Sequence, residues 1–91
     1  MIGLETRATP AQGILAQRSA ETMILLCPES GEYFTLDEVG ARIWDLCDGS
    51  RAVSDVVSQI QMEYDAPADA IRADVLDLLN DFAYEHLVTA G

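Results

Sequence analysis

The order of turn and cap signals between Glu21 and Gly49 constrains this chain more than any other feature. An apolar run from Met23 to Cys27 meets Pro28-Glu29-Ser30-Gly31, where proline and serine start a turn and glycine supplies a left-handed position. Glu32 to Leu36 then alternates Tyr33 and Thr35 with Phe34 and Leu36, the period of a half-buried strand. Thr35-x-x-Glu38 reads as a capping box that opens a helix, and Asp48-Gly49 closes it. The segment predicts a strand, a turn, a strand and a helix in fixed order, with no catalytic group among them.

On either side the chain is simpler. Residues 1–12 lack periodicity and contain Pro10, so they are expected to form a loosely ordered arm. Gly13 to Arg18 is a weaker strand candidate, joined through Ser19-Ala20-Glu21 to the apolar strand Thr22 to Cys27. That strand is apolar on both faces and is expected at the centre of its sheet. The first helix, about Asp37 to Cys47, carries Leu36, Val39, Ile43 and Leu46 or Cys47 on one stripe; Trp44 falls one position off it, at the core edge or a partner surface. A second helix is expected over Ser54 to Tyr64, with Val53, Val57, Ile60 and Tyr64 at helical steps. A third begins near Pro67 and runs to about Glu85, with Ile71, Val75, Leu78, Leu79 and Phe82 inward and Arg72, Leu76, Asn80 and Ala83 on a flank. Three strands followed by three helices make an α+β layout in one domain spanning 1–91.

Composition narrows the function. Sixteen acidic residues stand against five arginines and no lysine, a formal charge of −11 on 91 residues. Such a chain repels phosphate backbones and anionic lipid, so neither nucleic acid nor a membrane is expected as partner; a peptide carrying positive charge suits it better. The apolar runs are too short to span a bilayer and no signal peptide is visible, which predicts a cytoplasmic protein with Cys27 and Cys47 reduced.

Two cysteines and one histidine match no metal spacing, so no metal and no cofactor are expected. Asp74, Asp77, Asp81 and Glu85 lie at helical steps as an acidic stripe: a solvated face, or a rim that attracts a basic partner segment. No pocket is implied that would split their proton affinities for acid–base catalysis. His86 sits in the last turn of the third helix, where a cation suits the dipole. The hairpin and three helices also resemble a winged helix-turn-helix, whose reading helix should carry basic groups. The second helix has none and the third only Arg72, which disfavours the alternative of a DNA-binding regulator. An acyl carrier is disfavoured as well, for want of an Asp-Ser-Leu attachment site at a helix start.

The residues Pro28-Glu29-Ser30-Gly31-x-Tyr33-Phe34-x-Leu36-Asp37-x-Val39-Gly40-Ala41-x-Ile43-Trp44-x-Leu46-x-Asp48-Gly49 resemble the middle of the PqqD-like proteins. Val56-Val57, Tyr64-Asp65-Ala66-Pro67, Ala73-Asp74-Val75-Leu76-x-x-Leu79 and Leu87-Val88 are similar to the later part, so the resemblance covers about Ile14 to Val88. These are small recognition domains for precursor peptides in ribosomally made, modified natural-product and cofactor pathways. The resemblance implies a three-stranded antiparallel sheet on three helices, related to winged-helix domains, with no catalysis of its own. It further implies a peptide chaperone: the precursor's leader segment is captured as an added strand and passed to a modifying enzyme, such as a radical SAM enzyme or a lasso-type leader peptidase. A homodimer stays open.

Carried onto this chain, the edge strand is Glu32, Tyr33, Phe34, Thr35 and Leu36, the helix wall is Leu76, Leu79, Asn80 and Ala83, and Asp74, Asp77 and Asp81 form an acidic rim. Three positions depart from the family pattern: Ala52 for a capping Thr, Ala66 for a capping Asp or Ser, and His86 for a glycine. The Glu-Tyr-Phe-x-Leu strand resembles the stand-alone forms of lasso-peptide pathways more than those serving pyrroloquinoline quinone assembly.

Overall fold

A computed structural model describes residues 2–90. The elements are β1 (Ala8–Pro10), β2 (Leu15–Ser19), β3 (Thr22–Cys27), β4 (Glu32–Leu36), α1 (Glu38–Leu46), α2 (Val53–Glu63), α3 (Ala68–Tyr84) and β5 (Val88–Ala90). β2, β3 and β4 form an antiparallel sheet with β3 in the middle, so the α+β layout with a three-stranded sheet and three helices is observed.

Alternation orients the sheet. Met23 and Leu25 of β3 and Leu36 of β4 are buried against the helices, with Phe34 half-buried beside them. The opposite parity, Ile24, Leu26 and Tyr33, is exposed together with Leu15 of β2. The apolar character of β3 on both faces thus marks a central strand with one uncovered face. Gly31, at φ +75°, turns β3 into β4, and its N–H donates to the Cys27 carbonyl.

The start of α1 corrects the sequence reading. Thr35 remains inside β4, and the cap is Asp37, whose Oδ1 accepts from the Gly40 N–H at 2.7 Å. In α1 Gly40, Ala41, Ile43, Trp44 and Leu46 are buried and Val39, expected in the core stripe, is exposed. Trp44 is a core residue that meets the Phe82 ring edge-on at 5.8 Å.

The N-terminal segment is not a loose arm. Ile2 and Ala8 are buried in the core, and β1 pairs antiparallel with β5, Ala8 opposite Ala90. The same segment caps α2: the Leu4 carbonyl accepts from Ser54 N–H and the Thr6 carbonyl from Val53 N–H. Ala52 has no side-chain oxygen to offer, and Asp55 accepts weakly from the Ala52 N–H at 3.3 Å. Main-chain carbonyls from a remote segment therefore stand in for the missing capping hydroxyl. Asn80 of α3 grips Ile2 of the same segment on both backbone groups.

Candidate functional site

β4 is an edge strand, paired on one side with β3 and open on the other. Its side chains divide by parity. Tyr33 and Thr35 are exposed, Phe34 is half-buried, Leu36 is buried, and Glu32 is exposed at the start of the strand.

Beyond the open edge lies a groove. Its walls are Thr35 and Leu36 from β4, Val39 and Ile43 from α1, and Asp74 and Leu78 from α3. Gly40 keeps its floor open: a Cβ there would lie 3.7 Å from Leu78 Cδ2 and 3.2 Å from the capping Asp37 Oδ1. The groove has the chemistry of a peptide site, with apolar walls beside main-chain donors and acceptors and a carboxylate on the rim.

The helix wall expected from the sequence lies on a different flank. Leu79 is fully buried and belongs to the core, so no ligand reaches it. Asn80 is saturated by other partners: its Oδ1 accepts from Ile2 N–H at 2.9 Å, and its Nδ2 donates to the Ile2 and Leu76 carbonyls. Leu76 and Ala83 sit half-buried one turn either side of Asn80, on the face that the N-terminal segment occupies. The helix residues that face β4 across the groove are instead Asp74 and Leu78. Leu78, assigned to the core by periodicity, is half-buried.

Of the acidic stripe, Asp74 reaches the groove, while Asp77 and Asp81 are exposed on the same helix. None of the three has a cationic partner among the described residues, because the arginines are committed elsewhere. Arg18 pairs with Asp45, Arg42 with Glu63, Arg51 with Asp48 and Arg72 with Asp69, and Arg7 donates to the Ser50 carbonyl. Excess negative charge therefore faces solvent along the groove side of α3.

A second pocket adjoins the first and shares Val39, Ile43 and Asp74 with it. It extends between the helices to Ile60, Tyr64 and Ile71. Tyr64 donates to Glu38 Oε1 at 3.5 Å, and burial, followed by the nearby carboxylates, raises its phenol above the ordinary range. A third hollow lies at the far end of β4, where Glu32 meets Glu29, Cys27, Glu85 and His86. His86 stands past the end of α3 at φ +60°, a left-handed position filled by a glycine in the family pattern.

Cys47 is buried and its thiol is pushed up to about 11, chiefly by desolvation, so it behaves as a small apolar side chain. Among the described residues no group of His, Cys, Asp and Glu is arranged to hold a metal ion, and no helix is long and apolar enough to cross a membrane.

Known proteins resemble the chain in sequence and in fold. The PqqA binding protein of Bradyrhizobium diazoefficiens is 36% identical over 69 residues, 76% of this chain and 65% of that protein. The match thus spans just under two thirds of that relative's length. TbiB1 in complex with the TbiA(beta) leader peptide superposes with a TM-score of 0.81 at 28% identity, covering 88% of this chain and 93% of that one. A lasso peptide synthetase B1 complexed with its leader peptide has the same fold, with a TM-score of 0.82 at 20% identity over 91% and 98% of the two chains. The model of the family described as Coenzyme PQQ synthesis protein D (PqqD) matches residues 22–88, the span from the central strand to the first residue of β5, and this chain belongs to that family.

Proposed function

We propose that this chain is a non-catalytic binding module that captures the leader segment of a ribosomally made precursor peptide and presents it to a modifying enzyme. The observation that carries this reading is the open edge of β4 beside the groove lined by Leu36, Val39, Ile43 and Leu78. A peptide added as a strand satisfies the outward-facing N–H and C=O groups of alternate residues along Glu32–Leu36, each bond contributing about 0.5–1.5 kcal/mol net. Four or five such bonds fall short of ordering a flexible leader, so side chains seated in the groove must supply the rest, at about 1.5–3 kcal/mol for each large apolar group buried.

The relatives support the reading by what they bind: one is a PqqA binding protein, another is seen with a leader peptide. The enzyme served is of the radical SAM or lasso-peptidase kind, and the setting is cytoplasmic. Unpaired Asp74, Asp77 and Asp81 favour a leader with basic residues near its strand-forming segment.

Titration of labelled leader peptides from short precursors encoded beside the gene tests this. Binding should be saturable, should be lost in whichever of the folded Phe34→Pro and Thr35→Pro variants removes the N–H on the open edge of β4, and should associate more slowly as salt rises past about 0.1–0.15 M. Unchanged affinity in both proline variants would overturn strand addition on this edge.

A further inference from the structure

The two ends of β4 differ in chemistry. Leu36 meets Asp74 and Leu78 of α3 at one end, and Glu32 meets Glu85 and His86, at the close of α3, at the other. Leu36 to Glu32 is about 13 Å of strand and Leu78 to Glu85 about 10 Å of helix, so α3 keeps pace with β4 along its length. An extended peptide on the open edge therefore reaches both ends.

Strand parity determines what it meets at the second. Glu32 has the β4 parity of Phe34 and Leu36, which turn towards the helices, and it pairs with Cys27, which shares the inward parity of Met23 and Leu25. Where both strands would continue the core, the chain places a carboxylate beside a hollow of about 550 Å³. Ile14 and Cys27 supply apolar lining, and exposed Glu29 and half-buried Glu85 bring the carboxylates to three. None of the three has a cationic partner among the described residues, and the arginines are engaged elsewhere.

We infer that this hollow takes the side chain of an arginine or lysine of the bound peptide, at the residue that pairs opposite Glu32. This rests on the reading of β4 as the docking edge. Every pairing in the sheet is antiparallel, so an added strand that continues the pattern runs opposite to β4. Residues opposite one another on neighbouring strands share a face, so the peptide residues beside Leu36, Phe34 and Glu32 all turn towards the helices. The basic residue is then the fourth after the one opposite Leu36. Neighbouring strands lie ~4.8 Å apart, within reach of a flexible charged stem.

Desolvation selects the class of side chain. An apolar group at that position would strip water from Glu32 and Glu85 and return nothing, whereas a guanidinium or ammonium replaces the lost hydrogen bonds. A bare metal ion fits less well, since among the described residues no three such groups converge to hold one. Nor does a second copy of this chain suit the hollow: it has no lysine, its arginines are engaged, and it brings a further charge of −11.

Random 16-residue peptides displayed on phage supply the probe, selected on the full chain and in parallel on a Glu29→Gln, Glu32→Gln, Glu85→Gln triple variant, in which each side chain keeps its shape. Peptides selected on the parent should be enriched in Arg or Lys at one position, and those selected on the variant should not. One parent-selected peptide, made synthetically, should bind the triple variant about 5-fold or more weakly. The same peptide with its basic residue changed to Glu should bind the parent about 10-fold or more weakly, and Glu32→Arg should recover that loss. Leu78→Glu, at the other end of β4, should weaken both forms by a similar factor.

If the triple variant selects the same basic position and binds the intact peptide as tightly as the parent, the hollow is empty in the complex and the inference fails while the β4 reading stands. If Leu78→Glu leaves both forms unaffected, the β4 reading fails and the inference fails with it. A library that yields no binder overturns both.

Discussion

Asn80 and Ile2 are joined by two hydrogen bonds that run in opposite directions: the Ile2 N–H donates to Asn80 Oδ1 at 2.9 Å, and Asn80 Nδ2 donates to the Ile2 carbonyl at 3.1 Å. A side-chain amide here imitates a neighbouring strand and holds a segment 78 positions away in sequence. The consequences extend to α2, whose first N–H groups are satisfied by Leu4 and Thr6 of that same segment. Asn80→Ala should cost about 1–3 kcal/mol, by loss of the bonds and of the anchored Ile2. Removing residues 1–7 should cost more, since it also uncaps α2. Urea denaturation measures both, and an Asn80→Ala protein as stable as the parent would contradict the clamp.

The two flanks of α3 are predicted to separate in mutant behaviour. Leu78→Ala should weaken peptide binding about 10-fold while costing at most about 2 kcal/mol of stability, because Leu78 is half-buried at the groove. Leu76→Ala should lower stability to a similar extent and leave binding unchanged. Thermal melts paired with peptide titrations distinguish the two, and a binding defect in Leu76→Ala would place the groove on the other flank.

Two backbone positions are predicted to respond in opposite senses. Gly49 has φ +87°, and a Cβ there would lie 2.8 Å from Thr9 Oγ1, where its N–H already donates to the Ala8 carbonyl. Gly49→Ala should therefore destabilise by about 1–3 kcal/mol through strain and displacement of β1. His86, with its side chain at φ +60°, should gain up to about 1 kcal/mol when changed to Gly. Chemical denaturation reports both, and equal signs would contradict the assignment of these conformations.

Acid stability carries the signature of one ion pair. Arg42 donates to Glu63 through Nε and Nη2, and Gln59 adds a further bond, holding the Glu63 carboxyl down to about 2. An unfolded glutamate titrates near ~4.3. The folded value is the lower one, so the stabilisation is complete above about pH 4.5 and disappears as pH falls towards 2. Partial solvent exposure limits it to about 1 kcal/mol or less. Arg42→Gln should flatten that part of the acid-denaturation curve, and an unaltered slope between pH 4.5 and 2 would contradict the pairing.

Much of this architecture is written locally. The turn at Pro28 to Gly31, the alternation in β4 and the Asp48-Gly49 stop act over a few residues, and the sequence reveals them. β1 and β5 are three-residue strands, one ending in proline, whose pairing joins the two ends of the chain; no local pattern announces them. Thr35 and Asp37 are both capping residues, and the choice fell to Asp37 because β4 keeps its ladder through Leu36. The groove wall on α3 is hidden from periodicity for a similar reason. Periodicity places Val75 and Leu79 inward on α3, but Leu76 and Leu78 lie on opposite shoulders of that stripe. Only the packing of Ile2 against one shoulder shows which remains open to β4.

The central claim is that a peptide adds to β4 and seats its side chains against Leu78. Isotope-edited NMR of the labelled protein with unlabelled peptide tests it most directly. The predicted result is intermolecular contacts from peptide backbone protons to Tyr33, Phe34 and Thr35, with the Leu78 methyls shifted and those of Leu76 unmoved. Contacts concentrated on the other sheet edge, Leu15 to Ser19, or on Leu76 and Ala83, would contradict it.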